Sequence, residues 1–291
     1  MFIPSTDHFD FGFSIKYYGD IPYSRYNKNT MDVFLPISGA PTGIIFSFHG
    51  GGFFAGDKTQ DYSTTNEQNI IIDYLNNGIA FVTVNYRLIH TILDREGAKR
   101  CLDDGKAAVQ FVIDNASFFN IDITKIALTG TSAGAGISLY VGFDDTLNIA
   151  GVACMETQST YDLVRWEQIF SEFNIDIVDW TVETNTELSV LTFYGIKNLW
   201  ELYTPQVQQY RQSIDMLDLM TVNAPEVYLR SAGQPAGYPD DLNKINHHPF
   251  HGRAVYQRAL LLGVPTQLYA PELAIDTTEE TKIEFLTRIT T

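Results

Sequence analysis

The residues best suited to chemistry in this sequence lie in the stretch Gly130-Thr-Ser-Ala-Gly134. This stretch matches G-x-S-x-G and follows the short apolar run 126–129, a pattern that predicts a strand leading into a helix. In that geometry Ser132 occupies a strained turn with its hydroxyl above the sheet, and the glycines avoid a collision across the turn. We therefore predict that Ser132 is a nucleophile. A phosphate-binding turn is the alternative, but the stretch lacks the lysine of a phosphate-binding loop.

A second glycine-rich stretch, His49-Gly-Gly-Gly-Phe53, follows the apolar run 44–48. Consecutive glycines let the chain present backbone N–H groups to a ligand at close range. The amides of Gly51 and Gly52, together with that of Ala133, could stabilise the oxyanion of a tetrahedral intermediate. His49 is predicted to hydrogen-bond to backbone and shape the loop, and not to act as a base.

The elements that must position these residues alternate between short apolar runs and longer helical stretches. This alternation predicts an α/β fold, with a mostly parallel sheet and helices on both faces. The predicted strands are 44–48, 79–84, 126–129, 149–155, 227–230 and 266–269. The predicted helices are 65–77, 103–118, a helix ending near 140, 253–262 and 279–289.

The segment from about 157 to 222 interrupts this rhythm, because it contains no clear strand. It holds all three tryptophans, Trp166, Trp180 and Trp200, and several other aromatic residues. A connection of this length is usually functional, and ligand pockets are largely apolar and aromatic. We interpret it as an inserted cap. The alternative is an ordinary helical excursion whose aromatic side chains pack on the sheet.

Composition excludes several classes of partner. With 19 Lys and Arg against 35 Asp and Glu, the formal charge is -16. A chain this acidic is a poor candidate for binding nucleic acid or an anionic membrane surface, because phosphate binding depends on clustered Lys and Arg. The two cysteines, Cys101 and Cys154, are too few for a disulfide scaffold or a cysteine zinc site. Without a signal-like start or an apolar stretch of membrane-spanning length, the sequence predicts a soluble, cytoplasmic protein.

Three motifs together give a resemblance to a known family. The stretches His49-Gly-Gly-Gly-Phe53, Val84-Asn-Tyr-Arg-Leu88 and Gly130-Thr-Ser-Ala-Gly134 resemble the hormone-sensitive-lipase-like esterases of the α/β-hydrolase superfamily. The resemblance implies one α/β-hydrolase domain over 1–291, with a cap at about 157–222. It also implies hydrolysis of small-molecule carboxylic esters, of short to medium acyl chain, by a Ser-His-Asp triad without a metal or cofactor. Homodimers are common in that group, and the sequence leaves the oligomeric state open.

The base cannot follow the family pattern, because the loop after the last predicted strand, 270–276, contains no histidine. Three histidines, His247, His248 and His251, instead share the preceding loop, which leaves the carboxyl end of strand 227–230. On the similarity of this His-His-Pro-x-x-Gly stretch to a subset of esterase-like proteins, His247 is favoured as the base. The alternative for the cluster is a helix-entry loop with Pro249 in the first turn. A metal site is disfavoured by Pro249 and by the motif context.

The carboxylate of the triad has several candidates. Asp241 is favoured, with Asp240 beside it, because both lie in the loop after the penultimate strand; Glu156 and Asp162 follow the strand 149–155 and could act from the other side. Each could equally be a helix cap or a solvated charge. Two other functions stay open: a hydrolase-fold protein that binds a ligand without turnover, and an amidase or peptidase of the same fold.

Overall fold

A nine-stranded sheet runs through the part of the chain that the structure, a computed structural model, describes, namely residues 15–91 and 94–291. The strand order is β1-β2-β4-β3-β5-β6-β7-β8-β9. Pairing is parallel from β4 through β3 and β5 to β8, and antiparallel at both edges. The strands are β1 Ile15–Pro22, β2 Thr30–Pro36, β3 Thr42–Phe48, β4 Ala80–Val84, β5 Ile121–Thr131, β6 Gly151–Met155, β7 Glu226–Arg230, β8 Thr266–Ala270 and β9 Ile275–Asp276. The predicted α/β class, with a mostly parallel sheet, is confirmed.

Helices occur between the strands and flank the sheet. The α-helices are α1 Thr65–Asn76, α2 Gly97–Asp114, α3 Ala116–Phe119, α4 Ala133–Gly142, α5 Trp166–Ile169, α6 Ile177–Glu183, α7 Glu187–Tyr194, α8 Pro205–Gln212, α9 Met216–Leu219, α10 Leu242–Asn246, α11 Pro249–Leu262 and α12 Lys282–Thr290. Short 3-10 helices span Lys58–Tyr62, Leu163–Arg165, Ser171–Phe173, Leu199–Tyr203 and Pro271–Leu273.

Alternating side chains of the central strands feed two cores, one on each face of the sheet. In β3, Ile44 and Phe46 belong to the larger core, whereas Ile45 belongs to the smaller one. The larger core includes side chains of α2, α4 and α11, and the smaller core includes side chains of α1 and α12. Because both faces are covered, the central strands read as continuous apolar runs in the sequence.

Several predicted helices have different bounds in the structure, and for two of them the difference has a local cause. Helix α2 begins earlier than predicted, at Gly97, and ends at Asp114 because the Asn115 side chain donates to the carbonyl of Phe111 at 2.7 Å. Helix α11 begins at Pro249, since the His248 side chain caps it by accepting the N–H of Phe250 at 3.2 Å. Proline suits this first helical position, where its missing N–H costs nothing.

The segment between β6 and β7 consists of short helices joined by loops and contains no strand among its described residues, as its lack of strand signals predicted. Buried ion pairs hold it together: Arg211 pairs with Asp162, and Arg165 pairs with Asp215. Trp166 and Trp180 are buried, whereas Trp200 is 74% exposed. The aromatic content of the segment is therefore directed largely inward.

None of the helices in residues 15–91 and 94–291 combines the length and the apolar character that crossing a membrane requires.

Candidate active site

The loops that carry the candidate residues leave neighbouring strands at one edge of the sheet. The last residue of β3, Phe48, pairs with Gly130 of β5, and Thr131 pairs with Met155 at the end of β6. Met155 pairs in turn with Arg230 at the end of β7. The loops after these four parallel strands therefore meet at the carboxyl edge, where open α/β sheets bind their ligands.

Ser132 lies in the sharp turn between β5 and α4. Its backbone has φ +56° and ψ −122°, a region that side-chain-bearing residues rarely adopt. The Ser132 N–H donates to the carbonyl of Met155 at 2.9 Å, which fixes the turn against β6. A Cβ atom at Gly134 would lie 1.9 Å from the carbonyl oxygen of Phe48, so the turn can form only with glycine there. The strained strand-to-helix turn thus has the geometry expected of a nucleophile elbow.

His247 directly follows the short helix α10 and faces the serine. Its Nε2 atom lies 2.7 Å from Ser132 Oγ, so the hydroxyl can donate to a neutral imidazole. Burial lowers the pKa of His247 below its usual value, and the negative charge of Glu156 opposes that shift. The imidazole is therefore held in the neutral form that can accept a proton at neutral pH.

The other nitrogen of this imidazole, Nδ1, contacts an amide. Asn243, one helical turn earlier on α10, places Oδ1 at 2.9 Å from it. Asp241, predicted as the acid, does not fill this position: its carboxylate caps α10 by accepting the N–H of Lys244 at 2.7 Å. Asp240 forms an ion pair with the Lys244 side chain. The assignment of Asp241 as the partner of His247 is thus corrected to Asn243.

The two other candidate carboxylates also have partners of their own. Glu156 accepts the N–H groups of Ala232 and Gly233, each at 3.0 Å, and so ties the end of β6 to the loop after β7. Asp162 is buried in an ion pair with Arg211. Of the two, only Glu156 acts electrostatically on His247.

The two histidines next to His247 have structural contacts. His248 Nε2 lies 3.0 Å from the carbonyl oxygen of Gly237. His251 is fully buried, with Nδ1 at 3.0 Å from Ser159 Oγ and Nε2 at 3.0 Å from the carbonyl oxygen of Ile245, and burial lowers its pKa to about 3. These contacts fit the helix-entry alternative for His248 and His251, and leave His247 alone facing the serine.

His49 stabilises the glycine loop, as its position predicted. Its Nδ1 lies 2.8 Å from the carbonyl oxygen of Gly50, and its ring stacks on Tyr86 with centroids 4.2 Å apart. The Tyr86 hydroxyl donates to the His49 carbonyl at 2.7 Å. His90 is exposed, and His8 lies outside the described residues.

The glycine loop lies beside the serine, where a Cβ atom at Gly50 would be 3.7 Å from Ser132 Cβ. Gly51 and Gly52 have φ +106° and +63°, and a Cβ atom at Gly51 would lie 2.1 Å from the Ala55 carbonyl oxygen. Within residues 15–91 and 94–291, the N–H groups of Gly51, Gly52 and Ala133 donate no hydrogen bond. Gly52 and Ala133 line one cavity with Ser132, so their donors are available to an oxyanion formed there.

The cavity at Ser132 has a volume of about 120 Å³ and is largely apolar. The segment 157–222 supplies much of its wall, and the glycine loop supplies the rest. The aromatic and aliphatic lining residues include Phe53, Phe54, Tyr161, Trp166, Ile177, Trp180, Val190 and Phe193. An apolar cavity of this kind can hold an apolar group of a small ligand beside the serine hydroxyl.

Asn243 is a residue of the candidate site that the sequence motifs did not indicate. The triad pattern points to carboxylates, although an amide can also orient an imidazole. The spacing Asn243–His247 is i,i+4, which places both side chains on one helix face. That spacing was a usable signal, but the helix has only five residues and no clear periodicity.

No cluster of three or more metal-ligating side chains occurs among the described residues.

Solved structures with the same fold are numerous. A truncated carbohydrate esterase from gut microbiota is 14% identical, with a TM-score of 0.66 over 94% of this chain and 95% of that chain. A bacterial heroin esterase is 17% identical, with a TM-score of 0.61 over 90% and 76% of the two chains. Esterase B from Lactobacillus rhamnosis is 15% identical, with a TM-score of 0.58 over 88% and 74%. A search of curated proteins gave no match.

The nine-stranded sheet, with its parallel centre and antiparallel edges, has the fold of these solved esterases. The sequence matches the family model BD-FAE over residues 31–241, and the chain belongs to that family. The matched stretch includes Ser132 and the glycine loop and ends before His247. The resemblance to α/β-hydrolase esterases is therefore confirmed, whereas the position of the base depends on geometry alone.

Proposed function

We propose that the protein hydrolyses carboxylic esters through an acyl-enzyme on Ser132, with His247 as general base. The observation that carries the proposal is the 2.7 Å contact between Ser132 Oγ and His247 Nε2 at a strained strand-to-helix turn. His247 takes the serine proton as Oγ attacks the ester carbonyl, and the amides of Gly51, Gly52 and Ala133 stabilise the oxyanion. His247 then protonates the leaving alcohol. Water attacks the acyl-enzyme in the same way, with His247 as base, and releases the acid from Ser132.

Two features of the site support this order of proton transfers. Burial keeps His247 neutral before the reaction, so it is ready to accept the proton. The N-terminus of α4 points at the serine, and its partial positive charge favours the developing oxyanion. Losing one oxyanion donor typically costs about 100-fold or more in turnover.

The cavity supports a preference for small acyl groups. At about 120 Å³ it lies below the roughly 300 Å³ of ordinary ligand pockets, so a short acyl chain fits and a long chain does not. We propose that the segment 157–222 is a cap that sets this limit. The relatives named above as esterases support an ester substrate, and the one named as a carbohydrate esterase makes an acylated sugar the first alcohol component to test.

The proposal is tested by hydrolysis of p-nitrophenyl acetate and of an acetylated oligosaccharide. Ser132→Ala and His247→Ala should each lower kcat by more than about 1,000-fold, since removing either residue disables the nucleophile. His90→Ala, a change at an exposed histidine, serves as the matched control and should keep full activity. Wild-type turnover that survives in Ser132→Ala would overturn the proposal.

One observation favours a second candidate, ligand binding without turnover. The Nδ1 atom of His247 faces the neutral amide of Asn243, so the imidazolium formed during attack has no carboxylate in direct contact. The two candidates differ in the reaction with a phosphonate ester. A serine hydrolase becomes covalently modified at Ser132, which mass spectrometry detects, whereas a binding protein retains its unmodified mass.

A further inference from the structure

The base of the site has no carboxylate on its Nδ1 atom, although serine hydrolases use one to orient and stabilise the imidazole. We infer that two positioning residues divide this work: Asn243 fixes the orientation of the His247 ring, and Glu156 supplies the negative charge from the end of β6. The inference rests on the proposed function, because both residues act through the proposed base.

Asn243 has the geometry to fix the tautomer. A neutral imidazole carries one N–H, and the 2.9 Å contact with Asn243 Oδ1 places that N–H on Nδ1. Nε2 then keeps its lone pair for the hydroxyl of Ser132 at 2.7 Å. An amide oxygen accepts this hydrogen bond without a net charge, so it orients the ring and adds little to the stability of the imidazolium.

Glu156 has the complementary property of a fixed charge without a hydrogen bond to the ring. It directly follows β6 with φ +53°, a backbone conformation that costs energy for a residue with a side chain. Two backbone N–H groups, those of Ala232 and Gly233, donate to its carboxylate and fix its position. The preceding residue, Met155, accepts the N–H of Ser132 at 2.9 Å, so the Glu156 backbone adjoins the turn that carries the serine. From there its charge raises the pKa of His247 against the effect of burial.

The other charged groups around the imidazole are paired or neutral. Asp240 and Asp241 both pair with Lys244, whose positive charge offsets part of their negative charge. His248 and His251, on the side of α11, have pKa values lowered by burial and stay neutral. Of Glu156, Asp240 and Asp241, only Glu156 has no ion pair with a residue in 15–91 or 94–291.

The inference predicts opposite effects for two substitutions at Asn243. Asn243→Ala should lower kcat about 100-fold with KM nearly unchanged, because the ring loses its orientation. Asn243→Asp should at least retain the activity of the wild type and move the acidic limb of the pH profile of kcat/KM to higher pH. A carboxylate in this position both orients the ring and stabilises its protonated form.

The charge of Glu156 is tested separately. Glu156→Gln should lower kcat roughly tenfold and move the acidic limb to lower pH, and it should have a smaller effect in the Asn243→Asp background. Glu226→Gln, the same substitution at the first residue of β7, serves as the matched control. It should leave the acidic limb of the pH profile where it is in the wild type. If Asn243→Asp is as impaired as Asn243→Ala, or if Glu156→Gln leaves the limb unmoved, the inference is wrong.

A second measurement separates this inference from the proposed function. The titration of His247, followed by NMR in uniformly labelled protein with His247→Gln for assignment, requires no turnover. The inference predicts a higher pKa of His247 in Asn243→Asp and a lower one in Glu156→Gln. If these shifts occur in a protein without Ser132-dependent turnover, the proposed function fails and the electrostatic arrangement stands. If turnover occurs without the shifts, the inference alone fails.

Discussion

At the scale of single residues, Asp61 is a buried carboxyl outside the candidate site, and neighbouring groups stabilise its negative charge only in part. Asp61 lines a polar cavity of about 290 Å³ behind the glycine loop, together with Ser47, His49, Thr131 and Lys282. Burial raises the pKa of Asp61 to about 6, and a hydrogen bond with Ser47 and the charge of Lys282 only partly oppose that shift. Neither Ser132 nor His247 lines this cavity, so we expect Asp61 to affect stability and not the proposed proton transfers.

This carboxyl predicts the pH dependence of stability. Between about pH 4 and pH 6 the folded chain keeps a proton on Asp61 that the unfolded chain has lost, so the free energy of unfolding falls as pH rises through that window. A shift of about two units corresponds to at most about 3 kcal/mol. Asp61→Asn should flatten this dependence in urea unfolding at several pH values. A slope equal to that of the wild type would show that Asp61 is not the group responsible.

At the scale of elements, the segment 157–222, the proposed cap, contains a buried ion pair that joins α8 to the start of the 3-10 helix Leu163–Arg165. Arg211 and Asp162 are both almost fully buried, and Asp162 also caps that helix by accepting the N–H of Val164 at 3.1 Å. The next residue, Leu163, lines the cavity at Ser132. The ion pair therefore connects the stability of this segment to the shape of the cavity at Ser132.

Breaking this pair on one side should be costly. Arg211→Met leaves the carboxylate of Asp162 buried and unpaired, which should lower the free energy of unfolding by about 3 kcal/mol and raise KM for a short ester. Lys99→Met, which removes an exposed pair with Asp103, should cost less than about 1 kcal/mol. Adding Asp162→Asn to Arg211→Met should cost less than the sum of the two single changes. Strict additivity would contradict a direct coupling.

The elements also show how far the sequence could predict this molecule. The central strands and the elbow were predictable because continuous apolar runs and glycine spacing are local signals. The edge strands β1 and β2 were not, since β2 contains the fully buried Asp32, which pairs with Lys58 at 2.7 Å after the chain folds. Helix α10 was missed for a similar reason. Its five residues carry no periodicity, and Asn243 acquires a role only when the loop after β7 is placed beside Ser132.

At the scale of the whole molecule, the charge of -16 sets the field that an approaching substrate meets. Three carboxylates, those of Glu156, Asp240 and Asp241, lie in the loops around the proposed base. An ester that carries its own negative charge should therefore be repelled at low ionic strength. A neutral ester of the same acyl group should not be affected.

Added salt should reveal this repulsion. The Debye length shrinks from about 30 Å at 0.01 M to about 8 Å at 0.15 M, so kcat/KM for an anionic ester should rise over that range. The neutral ester with the same leaving group is the control, and its kcat/KM should change little. An anionic ester that loses efficiency as salt is added would instead indicate a local positive site at the mouth of the cavity.

The proposed base, His247, precedes β8 and β9 in the chain. This position has a practical consequence for protein engineering. The turn between β8 and β9, Pro271–Leu273, carries no histidine, and α12 beyond it packs against the sheet through Phe285 and Leu286. In a hydrolase with its base in this turn, a fusion or an inserted tag there would displace the imidazole. In this protein the turn can accept a grafted peptide or a surface anchor while the reacting groups keep their places.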